Sequence, residues 1–173
     1  MSEAMIPLSV AVLTVSDSRT EETDRSGQAL VERLESTGHR LHDKRIVDDD
    51  VYRIRAQVAA WIAEAEVQVI LTTGGTGFTG RDSTPEAVSV LLDKRIEGFG
   101  ELFRHLSWQE IGSSTVQSRC LGGLANNTVV FCLPGSTGAC LTAWDGILAE
   151  QLDSRHQPCN FANLVIPERG QHA

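Results

Sequence analysis

The chain has 173 residues, 41% of them hydrophobic and 22% charged, the profile of one globular domain with a buried core rather than a disordered chain. Its net charge of −8 argues against a general nucleic-acid or membrane surface and leaves room for a local basic pocket. No run is long and apolar enough to span a bilayer, and the start, MSEAMIPLSVAVLTV, lacks a basic leader and reads as a first strand. Cys120, Cys132, Cys140 and Cys159 form no C-x-x-C pair, so the expectation is reduced thiols in a cytoplasmic protein, each a small buried hydrophobe.

LSVAVLTV (8–15) is a continuous apolar, β-branched run and predicts a buried strand. From about Ser26, GQALVERLESTG has helical spacing and ends at Gly38, a good residue just past a helix C-terminus. RLHDKRIV (40–47) is more polar and predicts a strand near an edge. Asp48, Asp49 and Asp50 then precede the helical VYRIRAQVAAWIAEAE, where acids cap and complement the helix start. VQVILTT (67–73) is the second buried strand. After a glycine-rich stretch, Thr84-Pro85-Glu86 predicts an N-cap, a proline in the first turn and a helix to about Lys94. GFGELFRHLSWQEIG holds a short helix, TVVFCL (128–133) is the third buried strand, and STGACLTAWDGILAEQL is the helix after it. Residues from about 154 to 173, with Pro158 and Pro167, lack periodicity and predict an extended tail lying across the surface or on another subunit.

Strands alternating with helices predict a doubly wound, three-layer α/β fold with a mostly parallel sheet and helices on both faces. Ligands of such sheets sit beyond the carboxyl ends of the strands. The exits of the three best strands, SDSR (16–19), GGTGFTGRD (74–82) and PGSTG (134–138), therefore belong on one edge.

Gly75, Gly77 and Gly80 match the dinucleotide pattern G-x-G-x-x-G, but the helix start at Thr84 lies well past them. That disfavours a nicotinamide site, and no Walker lysine is present. Bare glycine backbone has two readings here: a tight turn, or N–H groups aimed at an anion. Ser136 reads as an N-cap whose helix start offers free N–H donors. Asp82 beside such a site has three readings: a Mg²⁺ ligand together with phosphate, an acceptor for amino groups of a heterocycle, or an Asx turn. Asp17 stands at another strand exit, with Ser16 and Ser18 beside it. The five histidines form no hydrolytic pattern, which leaves positioning and charge stabilisation of a phosphorylated ligand.

TVSDS, GGTGFTGRDSTPEA, GFGELFR, SRCLGG, LPGSTGAC and QLDSRHQPCNF, in this order from about Leu8 to Asn160, resemble the MoaB/MogA molybdopterin-binding family of molybdenum cofactor biosynthesis. The resemblance implies a homo-oligomer, a trimer or a dimer of trimers, that binds molybdopterin. Adenylylating relatives transfer AMP from Mg-ATP to the molybdopterin phosphate. Carried over, the binding residues are Ser16, Asp17, Gly74, Gly75, Thr76, Gly77, Glu101, Gly135 and Ser136. Asp49 and Asp82 carry the catalytic role and the Mg²⁺. Such a transfer needs no protein nucleophile. The alternative is a non-catalytic pterin carrier in the same pathway. One departure stands out: the family loop commonly has a lysine where this chain has Gly138, and Arg19 and Arg81 are the candidates to replace that charge.

Overall fold

A computed structural model describes residues 4–166. The first half comprises β1 (Ser9–Val15), α1 (Arg25–Ser36), β2 (Arg40–Val47), α2 (Val51–Ala63) and β3 (Val69–Thr73). There follow α3 (Thr84–Ser89), β4 (Lys94–Arg95), α4 (Glu97–Ile111), β5 (Leu121–Ala125) and β6 (Thr128–Leu133). Helix α5 (Thr137–Ala143) continues through a π-helical turn at Trp144–Leu148 into α6 (Ala149–Gln151), and α7 (Ala162–Val165) comes last.

The six strands form one sheet in the order β2-β1-β3-β6-β5-β4. The first four positions are parallel, and β5 and β4 each pair antiparallel with the neighbour before them. The apolar runs become its centre because side chains on both faces are covered, which an alternating strand does not require. Ala11, Leu13, Ile70, Val130 and Cys132 turn to one face, where Ile54, Val58 and Trp61 of α2 and Ala87 and Val88 of α3 meet them. Val10, Val12, Leu71, Val129 and Phe131 turn to the other, under α1, α4 and α5. The predicted doubly wound α/β fold is present, with β2 at an edge as its polarity requires.

Capping follows the sequence closely at two helices. Asp24 caps α1 by accepting from the Gly27 N–H at 2.9 Å, and Gly38 past its end takes φ +92°. Asp50 caps α2 through the N–H groups of Tyr52 and Arg53.

Several expectations need correction. Helix α3 ends at Ser89, not Lys94, because residues 93–96 are drawn into the sheet: Asp93 N–H donates to Leu124 and Ile96 N–H to Gly122. Ser83, not Thr84, takes the cap position of α3. Helix α4 is long rather than short. Strand β5 was not predicted, since LGGLA carries no β-propensity. It exists because the Asn126-Asn127 turn, φ +48° and +63°, folds it back on β6. Cys120, Cys132 and Cys140 are buried free thiols, but Cys159 is exposed. Within the expected tail, Ala162, Val165 and Ile166 join the core under β6, whereas Pro167 and the rest to 173 lie outside the described residues. No helix among the described residues is long and apolar enough to cross a membrane.

Candidate functional site at the switch point of the sheet

From β1 the chain steps to β2 on one side and then returns to place β3 on the other. Loops leaving β1 and β3 therefore diverge, and the crevice between them is where a doubly wound sheet receives its ligand. The carboxyl ends of β1, β3 and β6 do share one edge. A cleft of about 440 Å³ opens there, lined by Ser16 after β1, Gly74 and Gly75 after β3, and Gly135, Ser136 and Thr137 after β6.

Hydrogen bonds tie the turns after β3 and β6 to each other and to α1. Gly74 N–H donates to Leu133 at 3.1 Å, and the Thr73 hydroxyl donates to Pro134 at 2.9 Å. Ser26 of α1 donates to the Gly135 carbonyl at 2.7 Å. Gly74 and Gly75 have φ of +100° and +67°, so they, rather than Gly77 and Gly80, are the glycines this turn demands. A Cβ on Gly74 would sit 2.2 Å from the Val15 carbonyl oxygen. Thr84 pins the turn from behind, its hydroxyl donating to Gly74 and its N–H to Gly75, both at 2.9 Å. Ser136 caps α5 by accepting from Ala139 N–H at 3.2 Å.

The acids divide in role. Asp50 caps α2, and Asp48 pairs with Arg53 at 3.0 Å, but Asp49 is no capping acid. It is buried, and its Oδ1 accepts from the Ser83 N–H at 3.0 Å and the Ser83 hydroxyl at 2.7 Å. Its Oδ2 lies against Gly75, 2.8 Å from where a Cβ would stand, and accepts no hydrogen bond among the described residues. Asp17 accepts from Asp49 N–H at 3.0 Å and from both Arg81 donors, at 2.9 and 2.6 Å. The Arg81 hydrogen bond, helped by that from Asp49, holds the Asp17 carboxyl below its usual range. Asp82 folds back on its own loop, its Oδ2 accepting from the Thr79 hydroxyl at 2.7 Å and the Thr79 N–H at 2.9 Å. Thr79 accordingly keeps Asp82 ionised below the ordinary carboxylate range. The Asx turn toward Thr84 is not formed: Asp82 accepts from Thr79, three residues before it, while the Thr84 N–H donates to the Gly75 carbonyl.

Arg119 holds the glycine loop from outside. Its guanidinium donates to the carbonyls of Thr76 (3.3 Å), Gly77 (2.9 Å) and Asp82 (3.0 Å), pairs with Glu86, and stacks 5.2 Å from the Phe78 ring centre. With those carbonyls fixed, the peptide planes of the loop are fixed too. Sequence reasoning missed this residue although SRCLGG contains it, because no local pattern tells a loop-holding arginine from a surface one.

A family model described as a probable molybdopterin binding domain matches residues 11–154. The chain belongs to this molybdopterin-binding family. It is 55% identical over 161 residues to molybdenum cofactor biosynthesis protein B of Escherichia coli K12, covering 93% of this chain and 95% of that protein. Among solved structures it is similar to a molybdenum cofactor biosynthesis protein B at 48% identity, with a TM-score of 0.84 over 87% of this chain and 94% of the other. The tungsten cofactor synthesizing protein MoaB of Pyrococcus furiosus follows at 37% identity and TM-score 0.73, covering 83% of this chain and 92% of that one.

Of the residues carried over from the molybdopterin-binding family, the structure gathers Ser16, Gly74, Gly75, Gly135 and Ser136 around the cleft. Asp17 borders an adjoining hollow over the β2 edge, which shares Ser16 and Arg19 with the cleft. Asp49 abuts the cleft through Gly75, and Thr76, Gly77 and Asp82 continue the same loop. Glu101 lies apart, exposed in the second turn of α4. Gly138 has open space where a Cβ would stand, and Arg81, a candidate to replace the family lysine there, is already engaged by Asp17.

Proposed function

We propose that the cleft binds molybdopterin through its phosphate and that the protein adenylylates that phosphate with Mg-ATP, ahead of metal insertion. The observation that carries this reading is the meeting of three βα turns, Ser16, Gly74-Gly75 and Gly135-Ser136, at the switch point of an acidic protein's sheet. Positive φ at Gly74 and Gly75 turns main chain without side chains toward the cleft, the arrangement that suits a phosphate. The adjoining hollow gives room for a second ligand portion.

The transfer forms a bond between a phosphate oxygen of molybdopterin and the α-phosphorus of ATP. It breaks the α–β bridge, and pyrophosphate leaves with the electron pair. The attacking oxygen belongs to the substrate, so the protein's part is placement and charge stabilisation. Mg²⁺ is held by one or two carboxylates together with phosphate oxygens and would neutralise the developing charge. The free Oδ2 of Asp49 fits that need, and Asp82, on the glycine loop after β3, would turn from Thr79 to contribute. No three acids, histidines or cysteines among the described residues form a metal cage by themselves, which agrees with a cation brought in by the nucleotide. Leu102, Trp108 and Ile111 on α4 are exposed apolar residues of the kind a homo-oligomer buries, in keeping with a trimer or a dimer of trimers.

A carrier role is the second reading, and one observation favours it: Asp82 is satisfied by Thr79 rather than held out toward the cleft. Incubation with molybdopterin and Mg-ATP separates the two. AMP–molybdopterin and pyrophosphate mark the enzyme, and tight pterin binding without either product marks the carrier.

A further inference from the structure

We propose that Arg19 and Arg25 are the cationic contacts of the cleft and grip the phosphate group of its ligand, an inference that rests on the phosphate-binding reading above. Both line the cleft, and both are exposed. Neither is within salt-bridge distance of a carboxylate among the described residues, although acids outnumber lysines and arginines by 23 to 15. Other exposed arginines pair with an acid, Arg33 with Asp145, Arg53 with Asp48, Arg81 with Asp17 and Arg155 with Asp153, and the exposed cations that do not, such as Arg40, Lys94 and Arg95, lie away from the cleft.

The one carboxylate in the cleft wall is already neutralised. Asp24 is buried and accepts from the Thr14 hydroxyl at 2.7 Å, the Gly27 N–H at 2.9 Å and the Lys44 ammonium at 2.9 Å. Burial pushes its pKa up, but these bonds outweigh burial and leave it below the ordinary range, so it stays ionised and paired. Among the residues lining the cleft, two guanidinium groups therefore remain without a carboxylate partner, with Asp49 behind Gly75.

Arg25 breaks a local rule. It is the first residue of α1, where the helix dipole disfavours a cation; no acid stands in the first turn, and the capping Asp24 beside it is already paired with Lys44. Residues that violate local preference without structural return mark sites of function. A phosphate bound in front of Arg25 turns the penalty into attraction. Arg19 is brought to the same rim by its own loop, its N–H donating to Ser16 Oγ at 3.1 Å and its guanidinium to the Thr23 carbonyl at 3.4 Å.

The shared chemistry is a phosphate group, from the pterin or from the nucleotide. Calorimetric titration with inorganic pyrophosphate in phosphate-free buffer at low salt tests the site without any turnover. Arg25→Gln and Arg19→Gln should each weaken binding about tenfold, in line with one charge-assisted contact. Arg25→Gln should also raise the melting temperature of the ligand-free protein by about 1–3 °C, since it relieves the dipole conflict. Arg40→Gln, which removes the same charge at the opposite edge of the sheet, should change neither. Parallel titrations with ATP and with molybdopterin identify the source: the ligand whose affinity falls in Arg25→Gln carries the gripped phosphate, and a fall in either supports the proposal. Pyrophosphate affinity in Arg25→Gln equal to that of Arg40→Gln, or no pyrophosphate binding by the unaltered protein, overturns it. Binding that depends on Arg25 in a protein making no AMP–molybdopterin would reject the transferase reading and leave the arginines in place.

Discussion

Arg119 Nε donates to the Gly77 carbonyl at 2.9 Å, joining the segment before β5 to the turn after β3. With its bonds to Thr76 and Asp82, this one guanidinium sets the course of a loop rich in glycine, which would otherwise be costly to order.

Arg119→Ala should therefore loosen the loop more than the fold. Trypsin cleavage after the exposed Arg81 is expected to accelerate about tenfold or more, and adenylyl transfer to fall roughly 10- to 100-fold through misplacement. Timed proteolysis read by mass spectrometry checks the first expectation. Arg119→Lys, able to reach fewer carbonyls, should fall between the two.

Substitution of the glycines should separate backbone demand from motif appearance. Gly74→Ala combines φ +100° with a 2.2 Å approach to the Val15 carbonyl oxygen, and is expected to cost about 2–4 kcal/mol in urea unfolding. Gly80→Ala meets open space at a φ outside the left-handed region and should stay within about 0.5 kcal/mol of the unaltered protein.

Gly138→Lys should fit without rearrangement, since nothing lies within 4 Å of the new Cβ. Replacing glycine in the first turn of α5 gains helix propensity but sets a cation against the helix dipole, and the two effects, each about 0.5–1 kcal/mol, should leave stability nearly unchanged. The added charge beside Thr137 should tighten pyrophosphate binding severalfold at low salt, an advantage that fades as salt rises. Thermal melts and a titration at two ionic strengths measure both.

Acid should destabilise the fold through His39. Burial lowers its pKa, with Asp153 opposing weakly, and its Nδ1 accepts the Leu8 N–H at 3.1 Å. The folded state thus binds fewer protons than the unfolded chain, so stability is complete above the unfolded pKa of about 6.5 and falls as pH drops below it. Urea midpoints between about pH 7.5 and pH 5 should decline, and His39→Gln, which keeps an acceptor for Leu8 N–H, should flatten that decline.

Much of the fold was legible because the central strands are continuous apolar runs and their exits carry turn chemistry. The convergence of Ser16, Gly74-Gly75 and Gly135-Ser136 followed from parallel order alone. Strand β5 was hidden because its glycines serve neighbours rather than propensity: Phe131 crowds Gly122, and Leu92 crowds Gly123. Three adjacent aspartates looked alike in sequence, yet only tertiary contact with Ser83 separates buried Asp49 from capping Asp50. Arg119 and Arg25 escaped for the same reason, since a cation's role depends on what lies across from it.

The most direct measurement combines the unaltered protein with molybdopterin and Mg-ATP and follows AMP–molybdopterin and pyrophosphate, with Asp82→Asn alongside. Asparagine can still accept from Thr79, so the loop and pterin affinity should persist while transfer drops at least about 100-fold. Formation of the adenylate by the unaltered protein and its loss in Asp82→Asn is the predicted result. Pterin binding with no adenylate, or equal turnover in the two proteins, would contradict it.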